Sequence, residues 1–384
     1  MLAVLAGFAI ALLTGEGAST LAGRLGADYP AFYAAGNIIA KGDWDKLYNS
    51  EYQAKLQSDF FPGQSHVFLP FAYPPFVAAA YYPFSLVNYR LSYTLNTIFM
   101  FAAVFLSIWL LSPIHHLIRE NYVFFAAVAL SFYPMFRAVL NGQNTALTFL
   151  LITLTWRASL AKRDVLAGIA LGLLLFKPQF ALPLIGLYII SGRLRVGLGT
   201  LFTAFILYII SAVISGPGWI IEWYNYASWL QAEDAGINFD KAISWIGFLQ
   251  AVMGWKNNAA IVIGWAMSLA TTVFLVFIWV RGGRGGDLTA KLGISVAALV
   301  LIPPHVNFYD MGIVLFACMS SAPADRDMPW MPLGLLWILG FTQVFSSYLG
   351  FSLLFPVALL IFLLSIKYLA QSAAQSMDFL DPST

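Results

Sequence analysis

Charge is what this sequence has least of: only 10% of its 384 residues are Asp, Glu, Lys or Arg, against about 25% in an ordinary soluble domain. The deficit excludes a solvated globule, and 60% hydrophobic residues are more than a soluble core can use. A bilayer uses them, because lipid has no water to satisfy backbone polar groups and leaves only helices or closed barrels. The apolar runs do not alternate, which excludes a barrel. A net charge of +2, spread along the chain, excludes nucleic acid as a partner. The single cysteine, Cys318, excludes an intramolecular disulfide, CxxC redox chemistry and a thiolate metal cluster. His66, His115, His116 and His305 have no metal-ligand spacing, and no hard oxygen cage is visible, so neither metal nor cofactor is expected. Internal repeats and low-complexity tracts are also missing.

What is present is a series of apolar runs bounded by charges or Gly/Pro clusters. They fall near 1–14, 91–112, 121–140, 144–160, 196–215, 258–280, 288–303, 308–321, 330–347 and 350–368. The first lacks a basic leader and is read as an uncleaved helix rather than a removed signal. Between 164 and 191 two shorter apolar halves flank Lys177-Pro178-Gln179. Neither half reaches the about 20 residues a span takes, so they predict a hairpin or a pair of short helices broken at the membrane boundary. The pattern predicts an all-α, polytopic transmembrane bundle of about ten to twelve helices, a single integral membrane domain over residues 1–384.

Basic residues of the short loops mark the cytoplasmic face: Arg119, Lys162, Arg163, Arg193, Arg195, Arg281, Arg284, Arg326 and Lys367, with a cytoplasmic tail near 369–384. The opposite face receives large loops near 15–90 and 217–257, the links at 141–143, 177–179 and 303–310, and Asp28, Asp43, Asp45, Asp59, Glu222, Glu233 and Asp234. In the first loop, residues 31–39 predict a short interfacial helix that Gly42 ends. Residues 76–86 predict a second, with proline tolerated in its first turn.

Polar clusters from distant parts of the chain project on that opposite side. They are Asp28-Tyr29 with Phe32-Tyr33, Tyr73-Pro74-Pro75, Asn141-Gly142-Gln143-Asn144, Lys177-Pro178-Gln179, and His305-Val306-Asn307-Phe308-Tyr309-Asp310. Ionisable groups near membrane depth cost about 2.5–3.5 kcal/mol on insertion scales and are usually paired or functional. Asp28 reads as a general base for a hydroxyl, or as a helix cap. His305 reads as a group that orients or tunes a carboxylate, donates a hydrogen bond to a phosphate or acts as the base itself, or as a plain loop histidine. Lys177 suits an anionic lipid phosphate, or snorkels to the headgroups. Asp310 needs a partner, or sits as a favourable charge at a helix start. Gln143 and Gln179 can bond sugar hydroxyls or satisfy broken helix ends; Tyr33 and Tyr73 are packing or belt residues in the bland reading.

In this order, the clusters Asp28-Tyr29-Pro30-Ala31-Phe32-Tyr33-Ala34-Ala35-Gly36, Phe71-Ala72-Tyr73-Pro74-Pro75, Gly142-Gln143-Asn144, Lys177-Pro178-Gln179 and Pro304-His305 with Tyr309-Asp310 resemble glycosyltransferase family 87, of the GT-C superfamily. The resemblance implies transfer of a sugar from a polyprenyl-phosphate donor to a lipid or glycan acceptor, on the periplasmic side of the plasma (inner) membrane, with inversion. It implies mannose as the donor sugar, with arabinofuranose as the competitor. Asp28 becomes the favoured base and His305 its partner, with Lys177 or His305 on the donor phosphate and Tyr33, Tyr73, Gln143, Asn144, Gln179, Asn307, Tyr309 and Asp310 around the substrates. A transporter or flippase for a lipid-linked sugar is the alternative, since broken half-helices also suit transporters.

Overall fold

A computed structural model describes residues 26–60, 68–283, 286–321 and 330–378. The expected first span near 1–14, His66, Arg284 and Arg326 lie outside them. The described chain is an all-α membrane bundle whose one β-type pairing is an isolated bridge between Ala242 and Asn307. Tyr89–Ile114, Leu194–Ser215 and Asn258–Gly282 are each long and apolar enough to cross a membrane unaided. The expected 121–140 span is instead two helices, Tyr122–Ser131 and Tyr133–Leu140, bent by 75°. Phe132 is extended at the break and Pro134 opens the next helix without an N–H to give. The other apolar helices, among them Thr145–Leu160, Pro178–Ile190 and Leu288–Leu299, run 10–17 residues. The expected ten to twelve spans are therefore a mixture of full-length and shorter helices.

Helices that are apolar all round lie inside the bundle. Thr145–Leu160, Leu288–Leu299 and Val314–Ser320 are buried along most of their length, and Trp156 at their centre donates to Thr289 Oγ1 at 3.1 Å. Asp164–Leu173 packs on Leu194–Ser215 through glycines: a Cβ on Gly168 would stand 2.0 Å from the Val196 carbonyl oxygen, and one on Gly199 2.2 Å from that of Val165. Such small-residue seams let backbones approach where lipid gives no hydrophobic drive.

The predicted hairpin is present. Asp164–Leu173 tightens into a 3-10 turn, Leu174–Phe176, before Lys177, and Pro178 opens the returning helix Pro178–Ile190. Lys177 leaves the helical conformation (φ −122°, ψ 76°), which a residue before proline disfavours. The open end of the hairpin is closed by Arg193 Nη1 and Asp164 Oδ1 at 3.3 Å. The same end of the bundle holds Lys291, which is buried and donates to the Gly283 carbonyl at 2.7 Å, satisfying the end of Asn258–Gly282. Each arm rises about 1.5 Å per residue, so Lys177 is carried to the opposite end.

The first loop folds as expected and further. Tyr29–Lys41 and Pro75–Ser85 are helices; Gly42 ends the first in a left-handed conformation, and Pro75 opens the second. They cross at Gly36, where a Cβ would stand 2.6 Å from the Tyr81 carbonyl oxygen. Three helices described in the two large loops were not expected: Ser50–Phe60, Trp219–Ile237 and Trp245–Met253.

Candidate active site

Asp28 sits in a turn immediately before the Tyr29–Lys41 helix. Its backbone N–H donates to the Asn141 carbonyl at 3.0 Å, which joins the first loop to the 141–144 break. That break is a Schellman motif: the N–H of Gly142 reaches the Val139 carbonyl at 3.1 Å and that of Gln143 reaches Ala138 at 2.8 Å. Gly142 carries φ 74°, and a Cβ on it would stand 2.6 Å from Tyr29 Cβ. Only glycine meets both demands. The result aims Gln143 at Asp28, and its Nε2 donates to Asp28 Oδ2 at 2.6 Å.

Tyr73 approaches from another element, and its hydroxyl donates to Gln143 Oε1 at 3.4 Å. The extended segment that carries it is held by the unforeseen Ser50–Phe60 helix. Gln53 Oε1 accepts from the Phe71 N–H at 2.9 Å, and Gln57 exchanges bonds of 2.6 and 3.1 Å with the Leu69 backbone. Both glutamines are buried. Tyr48 donates to the Tyr73 carbonyl at 2.9 Å.

The third element is the 3-10 turn Phe308–Ile313. Asp310 is buried in it and accepts from Lys177 Nζ at 2.6 Å, the apex of the hairpin. Thr145 donates to the same carboxylate oxygen at 3.4 Å. The pair answers two questions left open by the sequence, since each ion is the other's partner. One of the three N–H donors of the Lys177 ammonium is thus engaged by Asp310.

Burial raises the Asp28 carboxyl above the ordinary aspartate value of 3.8 and outweighs the opposing bond from Gln143; the Asp234 charge raises it further, while Lys241 and Arg137 lower it. The cause is desolvation of the charged form. Burial first, then the Asp310 charge, pushes the Tyr73 phenol up, with a smaller push from Asp28 and an opposing bond from Asn144, so Tyr73 acts as a donor. Tyr309 lies within electrostatic reach of Asp28, Asp310 and Tyr73, and its hydroxyl accepts from Asn307 Nδ2 at 3.2 Å.

His305 stands at the rim. Its Nε2 is 3.3 Å from Asp234 Oδ2, with the two side chains 28% and 38% exposed; no hydrogen bond links it directly to Asp28 among the described residues. Tyr33 points elsewhere: its hydroxyl donates to the Val87 carbonyl at 2.7 Å and its ring packs on Phe60 and Tyr89. Gln179 is half-buried beside the hairpin apex. Asp28, Tyr73, Gln143, Asn144, Lys177, Tyr309 and Asp310 are thus gathered, Asn307 and His305 border them, and Tyr33 supports the wall from outside.

Arg137, Thr145, Asp234 and Lys241 were not foreseen here. Arg137 stands four residues before Asn141, one helical turn, which was the one available signal. Asp234 comes from the end of Trp219–Ile237, a helix without a clean apolar period.

The polytopic helical bundle thus holds a half-buried carboxylate beside an amide and a phenol, with an imidazole at the rim. The model of glycosyltransferase family 87 matches residues 71–304, more than half of the chain. The chain belongs to that family and is a membrane glycosyltransferase. The match includes Tyr73, Gln143, Lys177 and Asp234; Asp28 precedes it, and His305 and Asp310 follow it. No curated protein and no solved structure matches the chain.

Proposed function

We propose that this glycosyltransferase moves a sugar, mannose, from a polyprenyl-phosphate donor to a hydroxyl of a lipid or glycan acceptor, at the extracytoplasmic face of the plasma (inner) membrane. Asp28 is the general base. The observation that carries the reading is the Asp28 carboxylate, half-buried and held by Gln143 where the first loop meets the 141–144 break.

The step is a single displacement. The acceptor oxygen forms a bond to the anomeric carbon as its proton passes to Asp28; the bond to the phosphate oxygen breaks and the polyprenyl phosphate leaves with the electron pair. Attack opposite the leaving group inverts the anomeric configuration. A carboxyl pKa raised by burial makes Asp28 a stronger base than a solvated aspartate. Tyr73, kept protonated, fixes Gln143, which fixes Asp28. With Lys177 engaged by Asp310, His305 at the open rim takes the departing phosphate, where donor groups stabilise developing charge. Lys177 with Asp310 holds the wall. Neither metal nor cofactor enters the scheme. The orientation follows from the basic residues of the short loops.

The test is purified protein in nanodiscs with labelled polyprenyl-phosphate mannose, the arabinofuranose donor and a lipid acceptor extract. Labelled product of inverted configuration, formed from the mannose donor, is the expected result. Movement of donor across liposomes with no product would favour a flippase, and product from the arabinofuranose donor alone would replace the sugar.

A further inference from the structure

The second large loop reaches into this site through a hydrogen-bonded relay. The Trp219–Ile237 helix carries Asp234 in its last turn. Asn238 Nδ2 donates to Asp234 Oδ1 at 2.5 Å, and Lys241 Nζ donates to Asn238 Oδ1 at 2.6 Å. The other carboxylate oxygen, Oδ2, faces His305 Nε2 at 3.3 Å. Both oxygens of Asp234 are therefore occupied, one by an anchor and one by the imidazole.

The backbone clamps the same two segments together. The Ile243 N–H donates to the Val306 carbonyl at 3.0 Å, the Trp245 N–H to that of Leu301 at 2.9 Å, and Ser244 Oγ to that of Pro304 at 3.2 Å. Asp234 and His305 are thus held on either side of a fixed junction rather than meeting by a swing of two long side chains. With Nε2 turned to the carboxylate, Nδ1 is the imidazole nitrogen left for a ligand.

We propose that Asp234 is a positioning residue for sugar transfer: anchored by Asn238 and Lys241, it orients His305 so that Nδ1 faces the donor phosphate. This rests on the function proposed above. A carboxylate that fixes the tautomer and direction of an imidazole without touching substrate is a recurring arrangement.

The position of Asp234 provides a readout that a merely structural role would not move. The charged and titratable groups around Asp28 are Arg137 from the Tyr133–Leu140 helix, Asp234 and Lys241 from the second loop, Tyr73 from the first and Tyr309 from the 308–313 turn. Asp234 is the carboxylate among those acting on Asp28, so removing its charge lets Asp28 ionise at lower pH.

The experiment measures kcat, KM and the pH profile of kcat/KM for the full-length protein and for D234N, D234E and N238A, using polyprenyl-phosphate mannose as donor. D234N should lower kcat roughly tenfold or more and move the acid limb to lower pH, and D234E should restore most of the rate. N238A, which loosens Asp234 and leaves its charge, should lower kcat with the acid limb in place. A D234N enzyme with the rate and acid limb of the wild type overturns the inference. Should D234N fail to accumulate, N238A decides: a reduced kcat supports the relay and an unchanged kcat overturns it. A wild-type protein that forms no product overturns the function itself, a different outcome from an active wild type indifferent to these changes.

Discussion

At Gln143 a single side chain does two jobs: its amide nitrogen holds Asp28 Oδ2 at 2.6 Å and its oxygen accepts from Tyr73 at 3.4 Å. The bond to Asp28 stabilises the carboxylate and opposes the larger effect of burial. Gln143→Leu removes the opposing bond, so the Asp28 pKa rises further. In the proposed role of base Asp28 works only when ionised, so activity is lost as pH falls through that value. The acid limb of kcat/KM in Q143L should therefore lie at higher pH than in the wild type. An unmoved limb would mean that Gln143 does not act on the base. The sequence showed Asp28 and Gln143 as candidates because polar residues beside apolar runs stand out. It did not show that they touch, because contact between residues 115 apart depends on the left-handed turn at Gly142 and on Tyr29 packing into the space a side chain would fill.

At the scale of elements, the Lys177–Asp310 pair ties the hairpin apex to the 308–313 turn, with Thr145 adding a third chain segment. A buried pair contributes little net stability when compared with an apolar replacement, but breaking it leaves one ion stranded. Lys177→Met should cost about 3–5 kcal/mol, read as a large fall in thermal unfolding temperature in detergent. K177M/D310L should recover a good part of that loss. A K177M protein as stable as the wild type would show that the pair is not formed. The hairpin was legible because Lys-Pro-Gln interrupts two apolar halves too short to span, and the interfacial helices because Gly42 and Pro75 punctuate them. The loop helices Ser50–Phe60 and Trp219–Ile237 were not. Their signal is packing of Gln53, Gln57 and Trp223 against backbone, the last donating to the Ala72 carbonyl at 3.0 Å, and glutamines carry no hydrophobic period.

Across the whole molecule, polar groups collect at two ends of an apolar bundle. One end holds Asp164–Arg193 and Lys291; the other holds Asp28, Gln143 and Lys177–Asp310. The long apolar runs foretold the apolar bundle well, and they failed where Pro134 bends a run that composition alone reads as one span. In a variant with Cys318 replaced by alanine, single cysteines at the exposed positions Lys41 and Lys162 should label from opposite sides of the membrane, Lys41→Cys from outside. Labelling of both from one side would dismantle the arrangement. One rate tests the proposed role of Asp28 most directly: transfer of labelled mannose from polyprenyl phosphate by the wild type and by Asp28→Asn, measured at matched expression in nanodiscs. A loss of about 10²–10⁴-fold in the variant with donor binding retained is expected, and a D28N enzyme that turns over at the wild-type rate would contradict that role.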